Sequence, residues 1–270
     1  MPPNDESARF RFLLWAVGLY AAWTLATYVL EGHLRTLLRP EATDARLAYA
    51  AVANILIGIV GTGVLLHVAV RDNHVAPRDA GFRSFGRTLF GVLLGAVLGA
   101  VLFVFQRPAS IDAAVLANAY AQVWVVSVAE ILVCWAAVGM AVRAGLRETL
   151  PRWTGLLAAW VIAAVAFGAY HVAHSPPFNT WQMIGVLTMV GLGTGAFFFV
   201  VGEVYGTMVF HNFLALKGVT DAVAQGGKLD EYNVLDPPLL WTALLATVVL
   251  LGIDRVVRSA SSSSVSPPQP

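Results

Sequence analysis

The sequence predicts an all-α protein, a polytopic membrane helix bundle of about eight transmembrane helices, and two observations carry that expectation. Hydrophobic residues make up 58% of the 270-residue chain and charged residues only 12%, with a mean hydropathy of +0.71, whereas a soluble domain is about 25% charged. Apolar windows of about 20 residues, long enough to span a hydrocarbon core, recur along the chain. They are separated by short breaks rich in the Pro, Gly and charge that helices in lipid avoid.

Each window follows from its flanks. Span one, near 11–30, is preceded by acids rather than bases and is long enough to cross, so it reads as a membrane helix and not as a cleaved leader. RPEATDAR leads into span two at 47–70, and RDNHVAPRDAGFR into span three at 86–106. FQRPASID opens span four at 115–142, RAGLRETLPR span five at 154–174, and HSPPFN span six at 180–201. A small turn precedes span seven at 204–217, short enough to lie tilted or half-buried, and GVTDAVAQGGKLDEYNVLDPP precedes span eight at 238–256. Residues 1–8 and the Ser/Pro-rich tail 259–270 are expected to be disordered, which leaves 9–258 as a single transmembrane domain.

A net charge of +1 without any long basic or acidic run gives no reason to expect nucleic acid as a partner; the lipid bilayer is the partner the composition demands. The single cysteine, Cys134, excludes an intramolecular disulfide framework and a cysteine-held zinc site. Of the 17 Lys and Arg, eleven fall on the side of the N-terminus and six on the other, which puts both termini in the cytoplasm of a cell-membrane protein.

Ionisable side chains inside spans are costly, so the few present are informative: His67, Glu130, His171, His174, Glu203 and His211. In span four Asn118, Gln122, Glu130 and Cys134 step by four or eight, with Ser127 three before Glu130; in span seven Glu203, Thr207 and His211 step by four; in span five Phe167 and His171 do the same. Three polar stripes are therefore expected to face one another. His174, directly ahead of Ser-Pro-Pro, and His67, near the end of its span, read better as helix-end residues, and Glu203 as a solvated turn residue or a partner for an adjacent helix end. Cys134 reads as a packing residue, and tryptophans such as Trp153, Trp181 and Trp241 as interfacial anchors.

The order of these residues resembles the CAAX-protease and bacteriocin-processing (CPBP, or Abi) family of intramembrane proteases, whose three motifs are E-E-x-x-x-R, F-x-x-x-H and H-x-x-x-N or -D. AEILVC at 129–134, FGAYH at 167–171 and HNFLA at 211–215 occupy those places, and APRDAGFR resembles the family's usual lead-in, so the likeness covers about residues 75–217. Only the second motif matches in full. Ala129 stands where the family has its first glutamate, Cys134 where it has Arg, and Ala215 where it has Asn.

The resemblance implies catalytic roles for Glu130, His171 and His211, acting on a peptide or prenylated-protein tail of a membrane-protein substrate. A carboxylate and imidazoles in a low-dielectric pocket suit the activation of water, either with Glu130, His171 and His211 holding a divalent metal such as zinc or by Glu and His alone. Two other classes stand beside it: an inactive relative that binds a membrane partner or peptide, and a haem-binding or proton-relay protein using His171 and His211.

Overall fold

A computed structural model describes residues 5–262. Among them there are eight helices and no strand, in the order the apolar windows predict. Helix α1 runs Asp5–Thr27 and closes with a π-wound turn, Tyr28–Gly32. Helix α2 begins at Thr43–Ala48, is π-wound over Tyr49–Gly61 and ends with Thr62–Arg71. Helix α3 is Phe85–Phe105. Helix α4 starts as Ala113–Glu130, is π-wound over Ile131–Gly139 and ends with Met140–Gly145. Helix α5, Arg152–Tyr170, stops in a tight turn at His171–Ala173, and α6 is Trp181–Val201. Helices α7, Val204–Gln225, and α8, Pro237–Ser262, complete the bundle.

Seven of the eight are long and apolar enough to cross a membrane, and the chain is accordingly an integral membrane protein. The exception is α7, whose length of 22 residues suffices but whose sequence carries His211, Asn212, Lys217 and Asp221. It reaches eight residues beyond the expected end at 217. Helix also extends through 5–8 and 259–262, which were expected to be disordered; the rest of those two segments, 1–4 and 263–270, lies outside the described residues.

The helix starts follow from local chemistry. Asp112 caps α4 by accepting from the N–H groups of Ala114 (2.9 Å) and Val115 (3.1 Å), and Thr180 caps α6 at Met183. Gly202 ends α6 in the left-handed region at φ 67°, and Glu203 caps α7 by accepting from Tyr205 (3.0 Å) and Gly206 (2.5 Å). Glu203 is thus the partner of an adjacent helix end, as one of the two expected roles had it, and it is buried rather than solvated.

Helix α4 is the axis of the bundle. It is apolar nearly all round and buried almost end to end, as a helix enclosed by protein should be. Helix α7 lies beside α3 and runs parallel to it: Gly91 faces Glu203, Gly95 faces Gly206 and Gly99 faces Phe213. The glycines let the two backbones meet.

Two polar ends define the direction of every helix. At one, Arg9 pairs with Glu148 (2.5 Å), Arg83 donates to the Gly202 carbonyl (2.6 Å), Arg87 to that of Val201 (2.8 Å), and Arg258 binds Asp254 and the Arg83 carbonyl. At the other, Gln122 accepts from buried Arg46 (2.5 Å) and from the Tyr232 hydroxyl (2.7 Å) and donates to the Leu37 carbonyl (2.7 Å). There Asn118 donates to the carbonyls of Tyr232 and Val234, and Asp236 pairs with Arg46 at 3.5 Å. Arg9 and Arg258 share the first end, so the chain traverses the bundle an even number of times, α7 included.

Candidate functional site

Glu130 lies in the middle of α4 and is 3% exposed. Its Oε2 is 3.0 Å from His211 Nε2 on α7, and its Oε1 is 3.7 Å from His171 Nε2 at the end of α5. Three helices therefore do bring Glu130, His171 and His211 together, and all three line one cavity.

The partners of the two imidazoles fix what each nitrogen can do. His171 Nδ1 is 2.8 Å from the Phe167 carbonyl oxygen, which can only accept, so the ring proton sits on Nδ1 and the Nε2 lone pair points toward Glu130. His211 is held at both nitrogens, by the Thr194 hydroxyl at 2.9 Å and by Glu130. Phe167 stands edge-on to both rings, with centroid distances of 4.8 Å to His171 and 5.1 Å to His211, and keeps them apart. The first residue of FGAYH is thus a spacer and, through its carbonyl, an orienter.

His174 joins this group, although its sequence context reads as a helix end. The short turn after Tyr170 folds it back so that its ring stacks on His171 at 5.0 Å, and it is 4% exposed. Glu130, His171 and His174 each offer a ligand atom, all within 4.8 Å of one another, so this buried group could hold a metal ion. His211, expected among the metal ligands, is not in that group.

Beyond His174 stands Glu31, from the π-wound end of α1 and fully buried. Its Oε1 accepts from the Ser175 hydroxyl (2.5 Å), and its Oε2 accepts from the Ser175 N–H (2.8 Å) and lies 3.1 Å from His174 Nδ1. Glu31 was not among the sequence-derived candidates because it falls just past the expected end of span one. The signal that could have found it is an acid directly adjoining an apolar run.

The cavity has a volume of about 80 Å³, room for a few waters. Glu130, His171, His174 and His211 supply its polar lining at mid-bundle, and its apolar wall continues through Leu214 and Val219 toward Leu37 and Phe178 at the Arg46 end. A polar inner pole with apolar walls leading to it suits an extended, mostly apolar ligand that offers one polar group.

The other stripe residues serve structure. Ser127 donates to Asn212 (3.0 Å), which points away from the cavity as helical spacing predicts, while Asn118 and Gln122 tie down the connecting segments. Cys134 is fully buried in the core, His67 Nδ1 meets the Val256 carbonyl near the surface, and Trp153, Trp181 and Trp241 are exposed. No family model, no curated protein and no solved structure matches this chain.

Proposed function

We propose that this protein is an intramembrane endopeptidase of the CPBP/CAAX type, which hydrolyses a peptide or a membrane-protein tail with a water activated by Glu130. The observation that carries the reading is Glu130 held by His211 on one side and faced by the unprotonated Nε2 of His171 on the other, inside an apolar cavity between helices. The three motif positions likened to that family are the three that meet there.

In this reading Glu130 accepts a proton from water, the water oxygen adds to the scissile carbonyl carbon, and Glu130 returns the proton to the departing amine nitrogen. His171 Nε2 accepts a second hydrogen bond from the same water and so orients it. Protonation of Glu130 weakens its hold on His211, whose N–H then becomes available to the developing oxyanion. Thr194 keeps the His211 ring at the angle that step needs.

The site also fits a divalent cation such as zinc, because both ring nitrogens of buried His174 lack a hydrogen-bond partner. Held by Glu130, His171 and His174, the cation would supply Lewis acidity to the same carbonyl chemistry.

Purified protein should hydrolyse membrane-embedded peptides, and Glu130→Ala and His171→Ala should each abolish that. Hydrolysis untouched by both substitutions would sink the proposal. A second reading rests on Ala129, Cys134 and Ala215, the three departures from the family's motifs: a relative that binds a membrane partner without cleaving it. A folded protein that captures peptides but does not cleave them, even after Ala129→Glu, would favour it. The arginine-rich end, with both termini, is assigned to the cytoplasm on charge, which accessibility scanning of introduced cysteines can test.

A further inference from the structure

His174 and Glu31 lie outside the three motifs, and the mechanism above leaves both unused. A histidine 4% exposed, lining a cavity, with neither ring nitrogen hydrogen-bonded, is an unpaid desolvation cost unless something else occupies a nitrogen. The Glu31 carboxylate is 3.1 Å from Nδ1 but off the line of its N–H, and the ring stacks against His171 rather than turning toward it. On the far side, Nε2 is the nitrogen left for the cavity.

From this arrangement we infer that Glu31 is a positioning residue for a buried divalent-cation site formed by Glu130, His171 and His174. A metal-ligating imidazole generally gives its second N–H to a carboxylate or carbonyl, which fixes the tautomer and makes the ligand nitrogen more basic. His171 has such a partner in the Phe167 carbonyl. For His174 the carboxylate within reach is Glu31, 3.1 Å from Nδ1 and held by two bonds from Ser175, the residue next to His174, so that a small turn of the ring as a cation takes Nε2 would align the Nδ1–H with it. Helix α1, which lies outside the motif region, thereby becomes part of the site. His211, saturated by Thr194 and Glu130, stays outside the cation's shell. This inference rests on the proposed reading only for the identity of the chemistry; the cation site can exist in a protein that cleaves nothing.

The test uses the full chain in detergent, with Zn²⁺ affinity from chelator competition and the visible spectrum of the Co²⁺-loaded protein. Glu31→Gln should weaken Zn²⁺ binding by about 10–100-fold and shift the Co²⁺ bands, with Glu31→Asp recovering part of the affinity. Ser175→Ala, which removes the Ser175 hydroxyl bond to Glu31 but leaves the carboxylate, separates positioning from mere packing: it should lose much less affinity than Glu31→Gln. His174→Ala should lose more than His211→Ala. Wild-type protein that binds neither ion overturns the inference, as does Glu31→Gln binding Zn²⁺ as tightly as wild type. So does equal loss in Glu31→Gln and Ser175→Ala. Wild-type protein that hydrolyses peptide yet binds neither ion would refute the cation site while leaving the peptidase reading standing; ion binding without hydrolysis would do the reverse.

Discussion

Replacing Gly95 by alanine sets two known effects against each other. Alanine is the better helix former by about 1 kcal/mol, so the substitution should stabilise α3 if nothing opposes the new methyl. At Gly95 something does: the added Cβ would overlap the Gly206 carbonyl oxygen and sit 3.1 Å from its carbon and 3.3 Å from its Cα, all of them backbone. A side chain could rotate away; a helix backbone can yield only by moving α7 bodily. Overpacking of this kind costs about 1–3 kcal/mol, so the expected net effect is a loss of up to about 2 kcal/mol. Gly185 on α6 is the control, since a Cβ there meets nothing within 4 Å, and Gly185→Ala should be neutral or stabilising. Because α7 also carries His211, displacement at Gly95 should lengthen the 3.0 Å contact to Glu130 and depress activity along with stability. Reversible unfolding in mixed micelles measures the first effect and peptide hydrolysis the second. Gly95→Ala as stable as Gly185→Ala would refute the claim that backbone contact holds α7 in place.

Three further outcomes are expected. Thr194→Val leaves buried His211 Nδ1 without its partner and should cost about 1–3 kcal/mol of stability, with lower hydrolysis at unchanged peptide binding. Gln122→Leu strips the 2.5 Å acceptor from buried Arg46 and the acceptor of the Tyr232 hydroxyl; a loss of about 2–3 kcal/mol and faster proteolysis of the 229–236 segment should follow. Burial pushes the Glu203 carboxyl up to about 7, against the pull of its two backbone N–H donors, so the folded state holds a proton that the unfolded chain releases near 4.5. Stability should therefore fall as pH rises from about 4.5 through 7, by about 3 kcal/mol at most, and Glu203→Gln should flatten that slope in unfolding midpoints measured across the range.

Hydropathy made the helices legible because a membrane span must be long and apolar whatever it packs against. It also hid the difference between α4, enclosed by protein, and α6, which faces lipid over much of its length. The meeting of Glu130, His171 and His211 was legible because buried ionisable groups are too costly to scatter. His174 was not, since the turn that folds it back onto His171 depends on tertiary contacts of His171–Ala173, not on local spacing. Cys134 was expected on the Glu130 stripe four residues on, but α4 is π-wound from Ile131, and the wider turn carries Cys134 off the cavity and into the core. Stripe arguments hold only where the winding is α.

The position of the cavity along the bundle has a consequence for traffic between compartments. It extends from Glu130 toward Leu37 and Phe178, the end that Arg46, Tyr232 and Asp236 close over, while at the arginine-rich end the packed core around Trp135 and Ala141 stands between the site and the other aqueous phase. If that arginine-rich end lies in the cytoplasm, a water-borne chain could reach Glu130 only from the opposite face of the membrane. A lipid-modified tail on a cytoplasmic protein would then be on the wrong side, and the polypeptides within reach would be those already exported or those diffusing sideways out of the bilayer. On the proposed reading, the geometry of the cavity would thus set which leaflet supplies a substrate before any side chain has read a sequence.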